Sequence, residues 1–205
     1  PETDQLKKAA AVFRRVPADV VCLQAKLNFY NQRQNLIARW FTTEYSMWFD
    51  LYLPGLGAID APIPLGGTSN HFRTAILREL GGWDPYNVTE DCDLGIRLHI
   101  RGRRTRVLDS TTWEEACASP GYWMRQRSRW VKGYIQTYLV HMRRPVFLAR
   151  RLGGKDFLNF QMIVGGMFFC FLLNPFYWVF TLLWFLTRWQ AFSFLFPSFV
   201  FLLSS

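Results

Sequence analysis

Val20-Val21-Cys22-Leu23-Gln24-Ala25-Lys26-Leu27 reads as a β-strand apolar enough to be mostly buried. Its neighbours decide the fold. Before it, Asp4 to Val16 carries Leu6, Ala9, Ala10, Phe13 and Val16 at helical spacing, and Pro17 stops that helix. After it, Asn35 to Leu53 has helical period and an aromatic face of Trp40, Tyr45, Trp48, Phe49 and Tyr52, suited equally to a core or to a membrane surface. Pro54-Gly55 is expected to end that helix. Ile63 to Ser69 reads as a short strand running into a glycine turn, and Arg73 to Leu80 as a helix stopped by Gly81-Gly82. A helix from about Glu90 to His99 is expected, capped by Thr89 and followed by Gly102. Arg106 to Asp109 is a further strand, and Gly121 to Met142 a long helix. Strands separated by helices imply an α/β domain.

Charge is distributed unevenly along the 205 residues. Between Ala116 and Lys155 stand nine Lys or Arg and no Asp or Glu, and from Phe157 to Ser205 the one charge is Arg188. The net charge of +9 therefore belongs to a region that directly precedes an apolar one. Such a basic flank marks the cytoplasmic side of a membrane span, and it would also attract anionic headgroups. A basic pI alone would fit nucleic-acid binding, but the apolar neighbour argues against it. Phe157 to Thr187 exceeds the roughly 20 residues needed to cross a bilayer. Asn174-Pro175 should kink it or divide it into two short spans. A further, truncated span is expected from about residue 191. The chain opens on Pro1 and closes inside an apolar run, as an excerpt of a longer protein would. Cys22, Cys92, Cys117 and Cys170 lack C-x-x-C spacing and are expected to be reduced and mostly buried.

Two clusters carry chemistry. Thr89-Glu90-Asp91 places acids at a helix start, where they complement the helix dipole. A carboxylate held there at a pocket rim could also take a proton from a hydroxyl. Asp91-Cys92-Asp93 imitates a D-x-D metal motif, but residues two apart on a helix point to different sides. Asp93 is better placed to pair with Arg97 at i, i+4. In Gln126-Arg127-Ser128-Arg129-Trp130, the residues Gln126, Arg129 and Trp130 stand at i, i+3 and i+4 and are expected on one face. A solvated basic helix would not need Trp123, Trp130 and Tyr134 interleaved with its arginines. Guanidinium forks suit phosphate oxygens, and an indole ring suits the apolar face of a sugar. Together these residues point to sugar transfer from a nucleotide diphosphate beside a bilayer. His71, His99 and His141 lack metal-ligand spacing and are expected to be structural.

The ordered set Gly66-Gly67-Thr68-Ser69, Gly81-Gly82-Trp83, Thr89-Glu90-Asp91, Gln126-Arg127-Ser128-Arg129-Trp130 and a membrane helix resembles the processive family 2 glycosyltransferases, which include bacterial cellulose, hyaluronan and chitin synthases. The resemblance covers essentially the whole chain. It implies the C-terminal half of a GT-A domain at residues 1–150, followed by a membrane region at 151–205. It implies inverting transfer of a hexose from a nucleotide-diphosphate sugar to a growing polysaccharide. Asp91 would be the base with Glu90 beside it, and Gln126, Arg127 and Arg129 would meet the donor diphosphate. Trp130, Gly67 and Thr68 would hold the acceptor; cellulose synthases carry Cys-Gly-Ser where Gly66-Gly67-Thr68 stands here. A divalent cation, Mg2+ or Mn2+, is implied, with its D-x-D ligands upstream of Pro1 and none in this chain. The resemblance further implies a multi-pass protein of a bacterial-type inner membrane with its catalytic part cytoplasmic. Its partners would be the bilayer and membrane or periplasmic subunits, and not nucleic acid. Two alternatives stay open: a non-processive transferase acting on a lipid acceptor, and a non-enzymatic membrane-anchored module whose arginines bind anionic lipid or nucleic acid.

Overall fold

The computed structural model of the chain describes residues 1–187; the further span expected from about residue 191 lies outside them. Three strands form one sheet in the order β2-β1-β3, with β1 (Val20–Phe29) central, β2 (Asn70–Phe72) antiparallel to it and β3 (Arg104–Glu114) parallel to it. As the middle strand of a covered sheet, β1 is almost wholly buried, which is why it reads as a near-continuous apolar run. Helix α1 (Gln5–Arg15) covers one face, where Ala9, Val12 and Phe13 meet Leu23, Ala25 and Leu108. The larger core lies on the other face, where Phe49 and Leu53 pack with Leu94, Ile96 and Leu98, and with Phe160 and Val164.

That second layer begins with α2 (Leu36–Ser46), which continues through a π-helical stretch, Met47–Tyr52, into α3 (Leu53–Ala58). Pro54-Gly55 does not end the helix. In the π stretch Leu53 N–H bonds back to the Trp48 carbonyl, and this wider ring makes room for the proline at the start of α3. The aromatic face divides: Phe41 and Phe49 are buried while Trp40 is exposed. The short strand expected to run from Ile63 into the glycine turn at Ser69 has no ladder of its own; the Ser69 carbonyl accepts from Ala25 N–H at 3.0 Å, and the ladder to β1 starts at Asn70.

Helix α4 (Thr74–Glu79) precedes α5 (Glu90–Ile100), and β3 is followed by α6 (Pro120–His141) and α7 (Pro145–Phe160). Gly153, at φ 76° and ψ 167°, bends α7. A π-helical turn, Gln161–Gly165, joins α7 to α8 (Gly166–Thr187). Thus the boundary expected at residue 150 falls inside α7. Helix α8 runs on through Pro175, and Leu172, Trp178 and Leu186 are exposed along it. Within Pro145–Leu183 lies the one helical stretch among the described residues long and apolar enough to cross a membrane. Of the four free cysteines Cys22 and Cys92 are buried, Cys117 is half-buried, and Cys170 on α8 is exposed.

Candidate active site

The glycine turn is pinned from beneath. Gln24, fully buried on β1, accepts a hydrogen bond from Gly66 N–H at 2.8 Å and donates to the Thr68 carbonyl at 2.9 Å. This holds Gly66 and Gly67 in close approach to other groups: a Cβ on Gly66 would lie 2.8 Å from Phe49 Cζ, and one on Gly67 would lie 3.4 Å from Asp91 Oδ2. The loop backbone therefore faces the carboxylate at the start of α5.

Helix α5 is placed by two glycines. A Cβ on Gly95 would run into the Ile63 carbonyl, so α5 can lie directly on the extended segment before the loop. On α6, a Cβ on Gly133 would sit 2.8 Å from Thr89 Cβ and closer still to the rest of that side chain. The Thr89 side chain makes no capping bond, contrary to the sequence expectation. Its place is taken up by packing on Gly133, while Asn87 Oδ1 accepts from Thr89 N–H at 3.0 Å. Asn87 also donates to Thr137 Oγ1 at 2.8 Å in a buried contact. These contacts fasten the start of α5 to the middle of α6.

A cavity of about 380 Å³ opens where the three pieces meet. Gly67, Thr68, Glu90, Asp91, Gln126, Arg127 and Trp130 all line it. Arg129 does not: its side chain is exposed outside the cavity. At about 100° per residue, Gln126, Trp130, Tyr134 and Arg127 fall within an arc of about 100°, and Arg129 lies about 60° beyond its Gln126 edge. Gln126, Arg129 and Trp130 span an equal arc and do share a face, but the cavity lies toward the Tyr134 and Arg127 side of it. Arg127 is held by an ion pair with Glu44 on α2 and lies 4.8 Å above the Trp130 ring and 5.0 Å above the Phe41 ring. Trp130 in turn sits 6.0 Å from both Phe41 and Tyr45. Met167, in the first turn of α8, also lines the cavity, so the site abuts the start of the membrane-length helix.

The two acids of Asp91-Cys92-Asp93 face different surroundings. Burial raises Asp91 above the ordinary carboxylate range, an effect reinforced by Glu90 and partly offset by Trp83 Nε1–H, which donates to Asp91 Oδ1 at 2.7 Å. Burial also pushes Asp93 upward, but His141 at 2.9 Å and Arg97 at 2.6 Å together outweigh it and hold Asp93 low. His99 pairs with Asp156 on α7 at 2.7 Å. Family 2 glycosyltransferases generally depend on a divalent cation. Among the described residues no group of three His, Cys, Asp or Glu is arranged to hold one. The donor set here does not fit a metal, since Asp93 is consumed by Arg97 and His141.

Sequence reasoning gave no role to Gln24, Glu44, Trp83 or Gly133. Three of them left a signal. Trp83 stands in the Gly81-Gly82-Trp83 motif. Gln24 is a polar residue in an otherwise buried strand, and Gly133 sits inside a helix where it costs about 1 kcal/mol against alanine. Glu44 left none.

A carboxylate of raised basicity, an amide and a flat ring around a cavity at the foot of an apolar helix form a site suited to polyhydroxylated substrates at a membrane. The chain belongs to glycosyl transferase family group 2, whose model matches residues 1–204. It is 39% identical over 74 residues to the probable glycosyltransferase YdaM of Bacillus subtilis, covering 36% of this chain and 17% of that protein. Over 166 residues it is 28% identical to the beta-monoglucosyldiacylglycerol synthase of Trichormus variabilis, covering 78% of this chain and 34% of that protein. A probable glucomannan 4-beta-mannosyltransferase 7 of Oryza sativa subsp. japonica is 28% identical over 134 residues, 65% of this chain and 23% of that protein. The chain thus spans no more than 34% of the length of these relatives.

Proposed function

We propose that this chain is the acceptor-side part of an inverting hexosyltransferase of GT-A type whose core extends past residue 150 through α7, with apolar α8 in the membrane. Its donor is a nucleotide-diphosphate sugar, and its acceptor is the end hydroxyl of a growing polysaccharide at the cytoplasmic face. Asp91 takes the proton of the acceptor hydroxyl. The oxygen attacks the anomeric carbon from the side opposite the diphosphate, and the bond from that carbon to the diphosphate oxygen breaks, inverting the configuration. The observation that carries this reading is the placement of Asp91, raised in basicity by burial, across one cavity from Gln126 and Trp130. Trp130 offers its ring to the acceptor sugar, and Gly67 and Thr68 bring loop backbone to the same hydroxyls. Gln126 is positioned to hydrogen-bond sugar or phosphate oxygens. Arg127 is already matched by Glu44, which leaves Arg129 as the cation for the donor diphosphate.

A lipid acceptor is the second reading, favoured by Met167 at the cavity wall and by the likeness to a monoglucosyldiacylglycerol synthase. Asp91→Asn in the whole enzyme tests the base: transfer should fall about 10²–10⁴-fold while donor binding persists. Turnover within about tenfold of the parent would sink the assignment. Supplying an oligosaccharide or diacylglycerol as acceptor separates the two readings.

A further inference from the structure

A second cavity, of about 770 Å³, lies at the opposite end of α5 from Asp91. It is formed where the C-terminal turn of α5 meets the first half of α7, and its lining is dominated by Arg97, Arg101, Arg103 and Arg151. Arg97 is committed: its guanidinium pairs with Asp93 and donates to the Leu80 and Gly82 carbonyls at 3.1 and 2.7 Å. The other three have no ion pair among the described residues. Gly102, at φ 70°, makes the tight turn that allows the two arginines on either side of it to line one groove. The one carboxylate on the lining is Glu79. Against Glu79 alone, three guanidinium groups not matched by ion pairs leave the groove net positive and favour a further anion there.

We propose that this groove binds the phosphodiester headgroup of an anionic phospholipid. Guanidinium forks match phosphate oxygens in geometry as well as charge. The source of the phosphate is read from α7. Val146 and Phe147 are 64% and 52% exposed beside the groove, and apolar side chains so placed can enter the acyl region beneath a headgroup. Arg143, Arg144, Arg150, Arg151 and Lys155 are concentrated on the segment that leads through Gln161–Gly165 into apolar α8, the placement in which basic clusters meet anionic membranes. The site is separate from the cavity that holds Asp91 and is independent of which acceptor that cavity serves.

The test uses the whole protein in neutral detergent, with native mass spectrometry counting phosphatidylglycerol or phosphatidylcholine retained across a lipid titration. The parent should hold phosphatidylglycerol in preference. At roughly fivefold for each basic residue at an anionic surface, Arg101→Gln/Arg103→Gln/Arg151→Gln should bind it about a hundredfold more weakly. Arg101→Gln/Arg151→Gln, which spares half-buried Arg103 and changes only exposed positions, should lose about 25-fold, so the inference survives a folding failure of the triple variant. A charge-matched control at exposed sites elsewhere, Arg14→Gln/Arg15→Gln/Arg33→Gln, should stay within about twofold. An equal loss in the control would mean nonspecific attraction and would overturn the site. Equal retention of phosphatidylcholine would overturn the anionic headgroup. Displacement of the lipid by equimolar glycerol phosphate would overturn the lipid as the source.

Discussion

Gly133→Ala tests how the base is aimed, because it acts through packing alone. The added methyl would lie 2.8 Å from Thr89 Cβ, well inside ordinary contact, so the start of α5 and the middle of α6 must separate by roughly 1 Å. Overpacking of this kind costs about 1–3 kcal/mol, while replacing a helical glycine by alanine returns about 1 kcal/mol. Net stability should therefore change little, with Tm lower by no more than several degrees. Activity should respond far more. Thr89 is two residues from Asp91, and Gly133 is one turn beyond Trp130, so the separation widens the gap between the proposed base and the proposed acceptor platform. A misplacement of about 1 Å costs on the order of 10²-fold in rate. The assay is kcat in the whole enzyme, with Tm measured on the same preparation. Thr89→Ala in the same background removes Cγ2 and Oγ1, two of the three atoms in the way, and should restore most of the rate. Little is lost with that hydroxyl, whose hydrogen bond to Asn87 is long at 3.5 Å. Turnover of Gly133→Ala within about threefold of the parent at unchanged Tm would refute the idea that this contact sets the catalytic distance.

Trp83→Phe removes the hydrogen bond that partly offsets the burial of Asp91, so the carboxyl should rise further and the acid limb of kcat/KM should move to higher pH. A lower rate with an unmoved pH profile would show that Trp83 only packs. Arg129→Ala should weaken binding of the nucleotide diphosphate product. Trp130→Ala should leave that binding near the parent value and block acceptor elongation; equal nucleotide affinity in the two variants contradicts the division.

What the sequence disclosed and what it concealed follow from the range of the forces involved. Helix α5 and helix α6 were legible because apolar period and breakers are local, although the cap expected from Thr89 does not form. The pairing of Asp93 with Arg97 was legible for the same reason, being an i, i+4 contact. Strand β3 was foreseen only from Arg106 to Asp109, yet it runs from Arg104 to Glu114. Its polar second half, Ser110-Thr111-Thr112, carries no apolar pattern, and it is held as a strand by its parallel partners on β1 and by the buried Gln5 side chain, bonded to Ser110 and Thr112. Arg127 shows the same limit within the site. A guanidinium on a basic helix reads as a phosphate ligand until Glu44, far away in sequence, is brought against it and the ring of Trp130 lies beneath. An arginine so matched has little charge left for a second anion, and its cation–π contact instead fixes the plane of the indole. The same helix therefore divides its arginines by partner rather than by residue type. Arg127 is spent on Glu44 and the Trp130 ring, and exposed Arg129 is the one proposed to meet the donor diphosphate.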